Sequence, residues 1–413
     1  MTRVEVVHGA ALDSTPALSS ETSFITRLLE MRSTANAAFF AAEADRIAAL
    51  CSSMADRLAQ GGRLIAIGLS AAARSDVRHV AVEFVHPVIV GKRALPAIGL
   101  TDDADDLAAH VGMVATPRDI VLAFPSANER HANAIRSAIA AARDRGCLTI
   151  AVDELGADVE FRPAHDDPFV WQELVETLYH ILWELVHVFF EHGNDRPGAT
   201  TDPGRSAFLY PFLTEAPRDI AAVTRDVAQS VRAKAAEIAG LRQTTLSTQT
   251  ISTLERVGAL VRDSHSSGGK VLAFGNGGSA TDAMDLVADL RSPPSTALCA
   301  HRALDLTEDS SILTALANDV SPDVMFARQI IAYGAPGDVA IGFSTSGSSR
   351  NIVAAFAEAR RRGLVTVAFT GYDGGKIATD GLADHVIVAP SQYVPRIQEA
   401  HATAYHVLRA LIG

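Results

Sequence analysis

Four blocks of this chain recur in the same order, and that duplication limits the fold more than any other feature. Gly61-Gly62-Arg63-Leu64-Ile65-Ala66-Ile67-Gly68 is echoed by Gly268-Gly269-Lys270-Val271-Leu272-Ala273-Phe274-Gly275. Pro117-Arg118-Asp119-Ile120-Val121-Leu122-Ala123-Phe124 is echoed by Pro336-Gly337-Asp338-Val339-Ala340-Ile341-Gly342-Phe343. Ala142-Arg143-Asp144-Arg145-Gly146 before a β-rich run matches Ala359-Arg360-Arg361-Arg362-Gly363 before another, and Gln172-Glu173 with His180 matches Gln398-Glu399 with His406. The halves therefore read as tandem copies of one unit, which suits 413 residues, too many for one ordinary domain.

Each copy opens with a helical segment, roughly 22–60 and 215–265, in which apolar residues recur at three- and four-residue spacing. Short apolar strands follow, each running into a polar or glycine-rich turn and a helix. Alternation of this kind predicts an α/β fold: two tandem, doubly wound parallel sheets flanked by helices, with ligands at the carboxyl ends of the strands. The turn formers from His192 to Gly204 mark a linker, so the expected division is 22–192, a linker 193–214, and 215–413.

Composition excludes several classes. The net charge of -12 repels a phosphate backbone, and 6% aromatic residues provide few base-stacking platforms, so no nucleic-acid partner is expected. No run of about 18 apolar residues appears, so no membrane partner is expected either. Cys51, Cys147 and Cys299 lack metal-ligand spacing and suit a reducing compartment. With no signal-peptide pattern at the N-terminus, the expectation is a cytoplasmic protein.

Two loops of the second copy suit a phosphate. Val339–Phe343 leads into Ser344-Thr345-Ser346-Gly347-Ser348-Ser349 ahead of a helix near Asn351, and Val271–Phe274 leads into Gly275-Asn276-Gly277-Gly278-Ser279 ahead of another. Helix N-termini present free N–H groups to an anion, the hydroxyls donate to its oxygens, and glycine lets the backbone approach closely.

These loops occur in order with Asn318-Asp319, Pro336-Gly337-Asp338, Thr370-Gly371-Tyr372-Asp373-Gly374-Gly375 and Arg396-Ile397-Gln398-Glu399-Ala400-His401. Together they resemble the phosphoheptose isomerase branch of the sugar isomerase (SIS) domain family over nearly all of 260–413, with the first half a divergent second copy. The resemblance implies a cradle for a sugar phosphate from Asn276, Gly277, Gly278, Ser279, Asn318, Asp319, Ser344, Thr345, Ser346, Ser349 and Gln398. It implies aldose–ketose isomerisation, of sedoheptulose 7-phosphate to heptose 7-phosphate, through an enediol. It also implies a divalent metal such as zinc, no nucleotide cofactor, and a homo-oligomer in which two tandem chains reproduce the family's tetramer.

The resembled family places a His and a Glu at i and i+4 after the glycine loop, and a Gln and a His eight residues apart on the last helix. Both pairs fall on one helical face, where they can act as acid and base or hold a metal. In the second copy the first pair has become Asp285 and Asp289, although Gln398 and His406 remain. The first copy keeps all four, His79, Glu83, Gln172 and His180, but its loops have become Gly68-Leu69-Ser70-Ala71-Ala72 and Pro125-Ser126-Ala127-Asn128-Glu129-Arg130. One half retains the cradle and the other the chemistry. The expected metal set is His79, Glu83, Gln172 and His180, with Asp285, Asp289, Gln398 and His406 as the alternative. The expected acid/base groups are Glu83, His180, Asp289 and His406, in halves that complement one another. The competing reading is a non-catalytic phosphosugar sensor or adaptor. Retention of Gln398 and His406, and the lack of a basic N-terminal DNA-binding segment, weigh against it.

Overall fold

A computed structural model describes residues 20–87, 92–126, 128–192 and 220–413. The linker expected at 193–214 lies outside the described residues. The first half comprises α1 (Ser20–Ala59), β1 (Leu64–Ile67), α2 (Ala71–Val85), β2 (Ala97–Leu100), α3 (Leu107–Val114), β3 (Ile120–Ala123), α4 (Glu129–Asp144), β4 (Leu148–Val152), β5 (Val159–Phe161) and α5 (Pro168–His192). The second comprises α6 (Ile220–Thr245), α7 (Thr248–Ser266), β6 (Val271–Phe274), α8 (Gly278–Arg291), β7 (Ala303–Asp305), α9 (Ser310–Asp319), a 3-10 turn (Pro322–Val324) and α10 (Met325–Tyr333). It continues through β8 (Val339–Ser344), α11 (Arg350–Arg361), β9 (Val365–Gly371), α12 (Gly375–Thr379), β10 (His385–Ala389) and α13 (Val394–Ile412).

The two sheets share one topology. The first runs β2-β1-β3-β4-β5, and the second, taken from β7, runs β7-β6-β8-β9-β10; every pairing is parallel. In both, strands are added first on one side of the opening strand and then on the other, and this switch point is where open parallel sheets take ligands beyond their carboxyl ends. The central strands are buried throughout, as parallel strands covered on both faces must be. Helix α11 shows how the pattern sets the layer: Ile352, Ala355, Phe356 and Ala359 recur at three- and four-residue spacing and are buried, while the opposite face carries arginines.

The long helical segment expected to open the second copy is two helices. Leu246 and Ser247 interrupt it, and the Ser247 hydroxyl caps α7 by accepting from the Thr250 amide at 3.3 Å. The opening helices also cross between halves. Val223, Val227, Ala228, Val231 and Ala235 of α6 join the core of the first half, whereas Ile25 of α1 joins that of the second. Between the sheets, α2 packs on α8 and α5, and α13 packs on α8 and α5. These four helices carry the polar residues considered next.

Candidate functional site

The cradle forms where β6 and β8 end. Gly277 stands at φ 57°, in the left-handed region that glycine occupies without strain, and turns the chain into α8. Asn276 and Asn351 exchange amide hydrogen bonds of 3.0 and 2.8 Å, tying the glycine loop to the helix behind the serine loop. This pairing uses one N–H and one lone pair of the Asn276 amide and leaves its second N–H for a ligand. Ser344 Oγ donates to Ser349 Oγ at 3.4 Å, the Ser348 amide donates to Ser346 Oγ at 3.3 Å, and Thr345 accepts through its carbonyl from Gly371 at 3.0 Å. Ser349 is the cap residue of α11, but its side chain makes no cap hydrogen bond, so N–H groups of the first turn remain for an anion. Ser279 is buried in the first turn of α8. Asn318 and Asp319 are exposed at the end of α9 and bond to each other at 2.7 Å. The 3-10 turn that follows packs on both α9 and α11.

Against this cradle lies a histidine from the other half. A Cβ placed on Gly278 would overlap the Gln398 amide and sit 3.1 Å from His79 Nε2. Gln398 Nε2 is 3.1 Å from His79 Nε2, and His180 Nε2 is 3.2 Å from the same atom. Two ring nitrogens at that separation share either a proton or a cation. Their other nitrogens are held: Tyr179 Oη meets His79 Nδ1 at 2.9 Å, and Glu399 Oε1 meets His180 Nδ1 at 3.0 Å. Glu399 is in turn paired with buried Arg396; burial alone would raise its carboxyl, but Arg396 and His180 bring it down to about 2. Burial, with His180 adding to it, holds the His79 imidazole well below its ordinary value. Glu83 Oε1 lies 3.9 Å from His79 Nε2, and burial pushes its carboxyl up to about 7 with His180 opposing.

A second cluster lies around His406. His406 Nδ1 meets Glu173 Oε1 at 3.0 Å, and His406 Nε2 is 3.6 Å from both Asp285 Oδ2 and Asp289 Oδ2. Asp285 accepts from Gln172 Nε2 at 2.6 Å and from the Tyr405 hydroxyl at 2.7 Å. Glu173 is further held by Arg32 at 2.8 Å and Thr403 at 2.7 Å. Burial opposes the imidazolium, but Asp285 and Glu173 push His406 up to about 9, while burial and then Asp285 push Asp289 up to about 8.

The two halves thus exchange partners. Of the expected set, His79, Glu83 and His180 come together, while Gln172 donates to Asp285 and Gln398 stands beside His79. The alternative set of Asp285, Asp289, Gln398 and His406 loses Gln398 for the same reason. The physical cause is that α5 and α13 lie against both α2 and α8, so that the first-turn glutamine of each reaches the helix of the opposite half while the histidine two turns later meets that of its own. The glutamates cross as the glutamines do, Glu399 serving His180 and Glu173 serving His406. Both stand in the repeated Gln-Glu dipeptides, which were the only signal of their roles.

A family model described as SIS domain matches residues 235–371. The phosphoheptose isomerase of Paramagnetospirillum magneticum is 53% identical over 146 residues, 35% of this chain and 75% of that protein. The chain belongs to the SIS domain family. The phosphoheptose isomerase of Burkholderia pseudomallei is 39% identical over 195 residues, covering 47% of this chain and 94% of that protein. Two solved SIS-type structures extend the likeness of fold to nearly the whole chain. The C-terminal domain of glucosamine-fructose-6-phosphate aminotransferase from Francisella tularensis has a TM-score of 0.57 at 9% identity, covering 94% of each chain. The tagatose-6-phosphate ketose/aldose isomerase of Escherichia coli has a TM-score of 0.52 at 14% identity, covering 97% of this chain and 95% of that one.

A divalent metal in this SIS protein fits the cluster at His79. Two imidazoles, a carboxylate and an amide oxygen are a zinc-compatible donor set, and both imidazoles have outer partners that fix their orientation. Glu83 Oε2, Glu176 Oε1 and Gln398 Oε1 are buried without a hydrogen-bond partner. Turning the Gln398 amide over would bring its oxygen to the nitrogen's place beside His79. Among the described residues, no helix is long and apolar enough to cross a membrane.

Proposed function

We propose that the chain is an aldose–ketose isomerase of a sugar phosphate, converting sedoheptulose 7-phosphate to heptose 7-phosphate, and that it works at one site assembled from both halves. The observation that carries this reading is His79 of the first half lying against Gly278 and Gln398 of the second. The cradle supplied by 344–349 and 277–279 holds the phosphate end of an open-chain sugar. Glu83 takes a proton from C1 of the ketose and returns it to C2 of the enediol, while the hydroxyl proton passes from O1 to O2. A carboxyl at about 7 suits both directions of that transfer near neutral pH. His180, held by Glu399, supports proton movement at the oxygens. A metal bound through His79 and His180 would polarise the sugar oxygens and stabilise the enediolate.

The His406 cluster has no such role in this reading. The loops of the first half keep only Gly68, Ser70 and Ser126 of the glycine and serine pattern, and Arg130, which could attract phosphate, pairs with Asp105 at 2.7 Å. The reading keeps the units at 22–192 and 215–413, a cytoplasmic setting, and a dimer of tandem chains that gel filtration would test. Deuterium wash-in from heavy water, followed by NMR with a panel of sugar phosphates, tests the activity. Exchange at C1 or C2 of the heptulose phosphate supports it. Binding of a sugar phosphate without exchange at any carbon rejects it in favour of a sensor or adaptor.

A further inference from the structure

His401 ends the run from Arg396 that carries part of the resemblance, yet neither cluster between the halves uses it. It is fully buried on α13, with its ring edge-on to Phe369 and tilted against Phe343 at centroid distances of 5.9 and 6.2 Å. Those two phenylalanines pair across β8 and β9 immediately before Ser344 and Thr370, where the serine loop begins. His401 Nε2 lies 2.9 Å from the Thr370 carbonyl oxygen, which can only accept, so Nε2 carries the proton and donates it. The next residue, Gly371, gives its N–H to the Thr345 oxygen at 3.0 Å. His401 therefore holds the strand end that holds the serine loop.

Its other nitrogen faces the other loop. Nδ1 stands 4.0 Å from Asp282 Oδ2, and both atoms are buried without a hydrogen-bond partner. Asp282 comes four residues after Gly278 on α8, one turn along the same face from the glycine loop. A shift of about 1 Å makes the contact a hydrogen bond and removes the penalty of two unpaired buried polar atoms. Burial, against the pull of the Thr370 bond, holds the imidazole down to about 4, so Nδ1 is a bare lone pair at neutral pH and the Asp282 carboxyl has to be the donor. The first half provides the contrast. Gln172-Glu173 matches Gln398-Glu399, which puts Val175 in the place of His401, while Asp76 keeps the place of Asp282. The histidine is present in the half that keeps its glycine and serine loops and absent from the half that does not.

We infer that His401 is a positioning residue of the cradle, fixing the serine loop through Thr370 and the glycine-loop helix through Asp282 so that both reach one phosphate. This rests on the isomerase reading for the identity of the ligand, a sugar phosphate.

The test is calorimetric titration of the full-length chain with sedoheptulose 7-phosphate, and with inorganic phosphate as a second probe. His401→Val, which installs the residue of the first half, is expected to weaken both by at least about tenfold. His401→Gln keeps a donor for Thr370 and is expected to recover most of that loss. A residue that served folding alone would lower the melting temperature of His401→Val and leave the affinity of the folded protein unchanged; that result overturns the inference, and so does an equal loss in the glutamine variant. On the other side of the link, Asp282→Asn, whose amide can donate to Nδ1, is expected to bind within about threefold of the parent, and Asp282→Ala to lose affinity as His401→Val does. Should His401→Val fail to fold, that pair decides: the expected difference supports the link and equal affinities overturn it. A parent that binds the heptulose phosphate but exchanges no deuterium ends the isomerase reading, while the variant affinities still decide the role of His401. A parent that binds neither probe overturns both.

Discussion

Replacing Gly278 with alanine adds one methyl group at the point where the two halves meet. The backbone at this position is not in the left-handed region, so alanine itself is unstrained, and as the first residue of α8 it would be tolerated. Its methyl, however, overlaps the Gln398 amide and reaches 3.1 Å from His79 Nε2. Gln398 is buried, so its amide has to retreat by on the order of 1 Å within packed surroundings. Overpacking of this kind costs about 1–3 kcal/mol, of which roughly 0.4–1 kcal/mol is returned by the lower chain entropy of the unfolded alanine variant. The stability loss should therefore lie between about 0 and 2.6 kcal/mol. A displacement of about 1 Å at a reacting centre costs about a hundredfold in rate, or roughly 2.7 kcal/mol in the barrier. Deuterium wash-in and thermal melting on the same sample separate the two effects. Gly240→Ala is the control, since a Cβ there meets nothing within 4 Å. Gly278→Ala with parental exchange would refute the claim that catalysis takes place where His79 meets the glycine loop.

Three further outcomes follow from the buried charges. In metal-free protein, exchange should rise with pH through about 7 and level off above it, because Glu83 acts as a base only when ionised; Glu83→Gln should abolish that limb. Thermal stability should fall on the alkaline side. His406 has a raised value, so its contribution is complete below about 6.5, the ordinary value for histidine, and is lost as pH rises through about 9. Asp289 acts in the same direction, because a carboxyl raised to about 8 favours the folded state less as pH climbs to that value; a melting series from pH 6 to 10 reads the sum. Glu173→Gln should destabilise the chain by about 3–5 kcal/mol in a denaturant titration, since it leaves Arg32 and Arg242 buried without their carboxylate. An unchanged midpoint would mean that water reaches these groups.

Much of the architecture was legible because it is written locally. A buried strand needs a short apolar run, a phosphate loop needs glycine or hydroxyls before a helix, and a repeat shows itself by alignment with its own chain. The cradle from Gly277 to Ser279 and from Ser344 to Ser349 follows from contiguous residues on neighbouring strands β6 and β8. The break at Ser247 was less visible, because a single capping serine within an otherwise periodic segment changes little in the pattern. Glu176 was passed over because a glutamate on a helix is usually solvated, and only packing revealed that this one is 5% exposed.

The chain alone therefore determined that there are two similar units, that the second keeps the glycine and serine loops, and that the first keeps the histidines and the glutamate. It could not determine which glutamine and which glutamate serve which histidine. Spacing of i, i+4 and i+8 establishes that side chains share a face, but not what that face meets. Gln398 and His79 are separated by 319 positions, and their contact exists only because α2, α5, α8 and α13 pack between the sheets. That packing sends Gln398 and Glu399 to His79 and His180, and Gln172 and Glu173 to Asp285 and His406, so each of the two clusters is built from both halves.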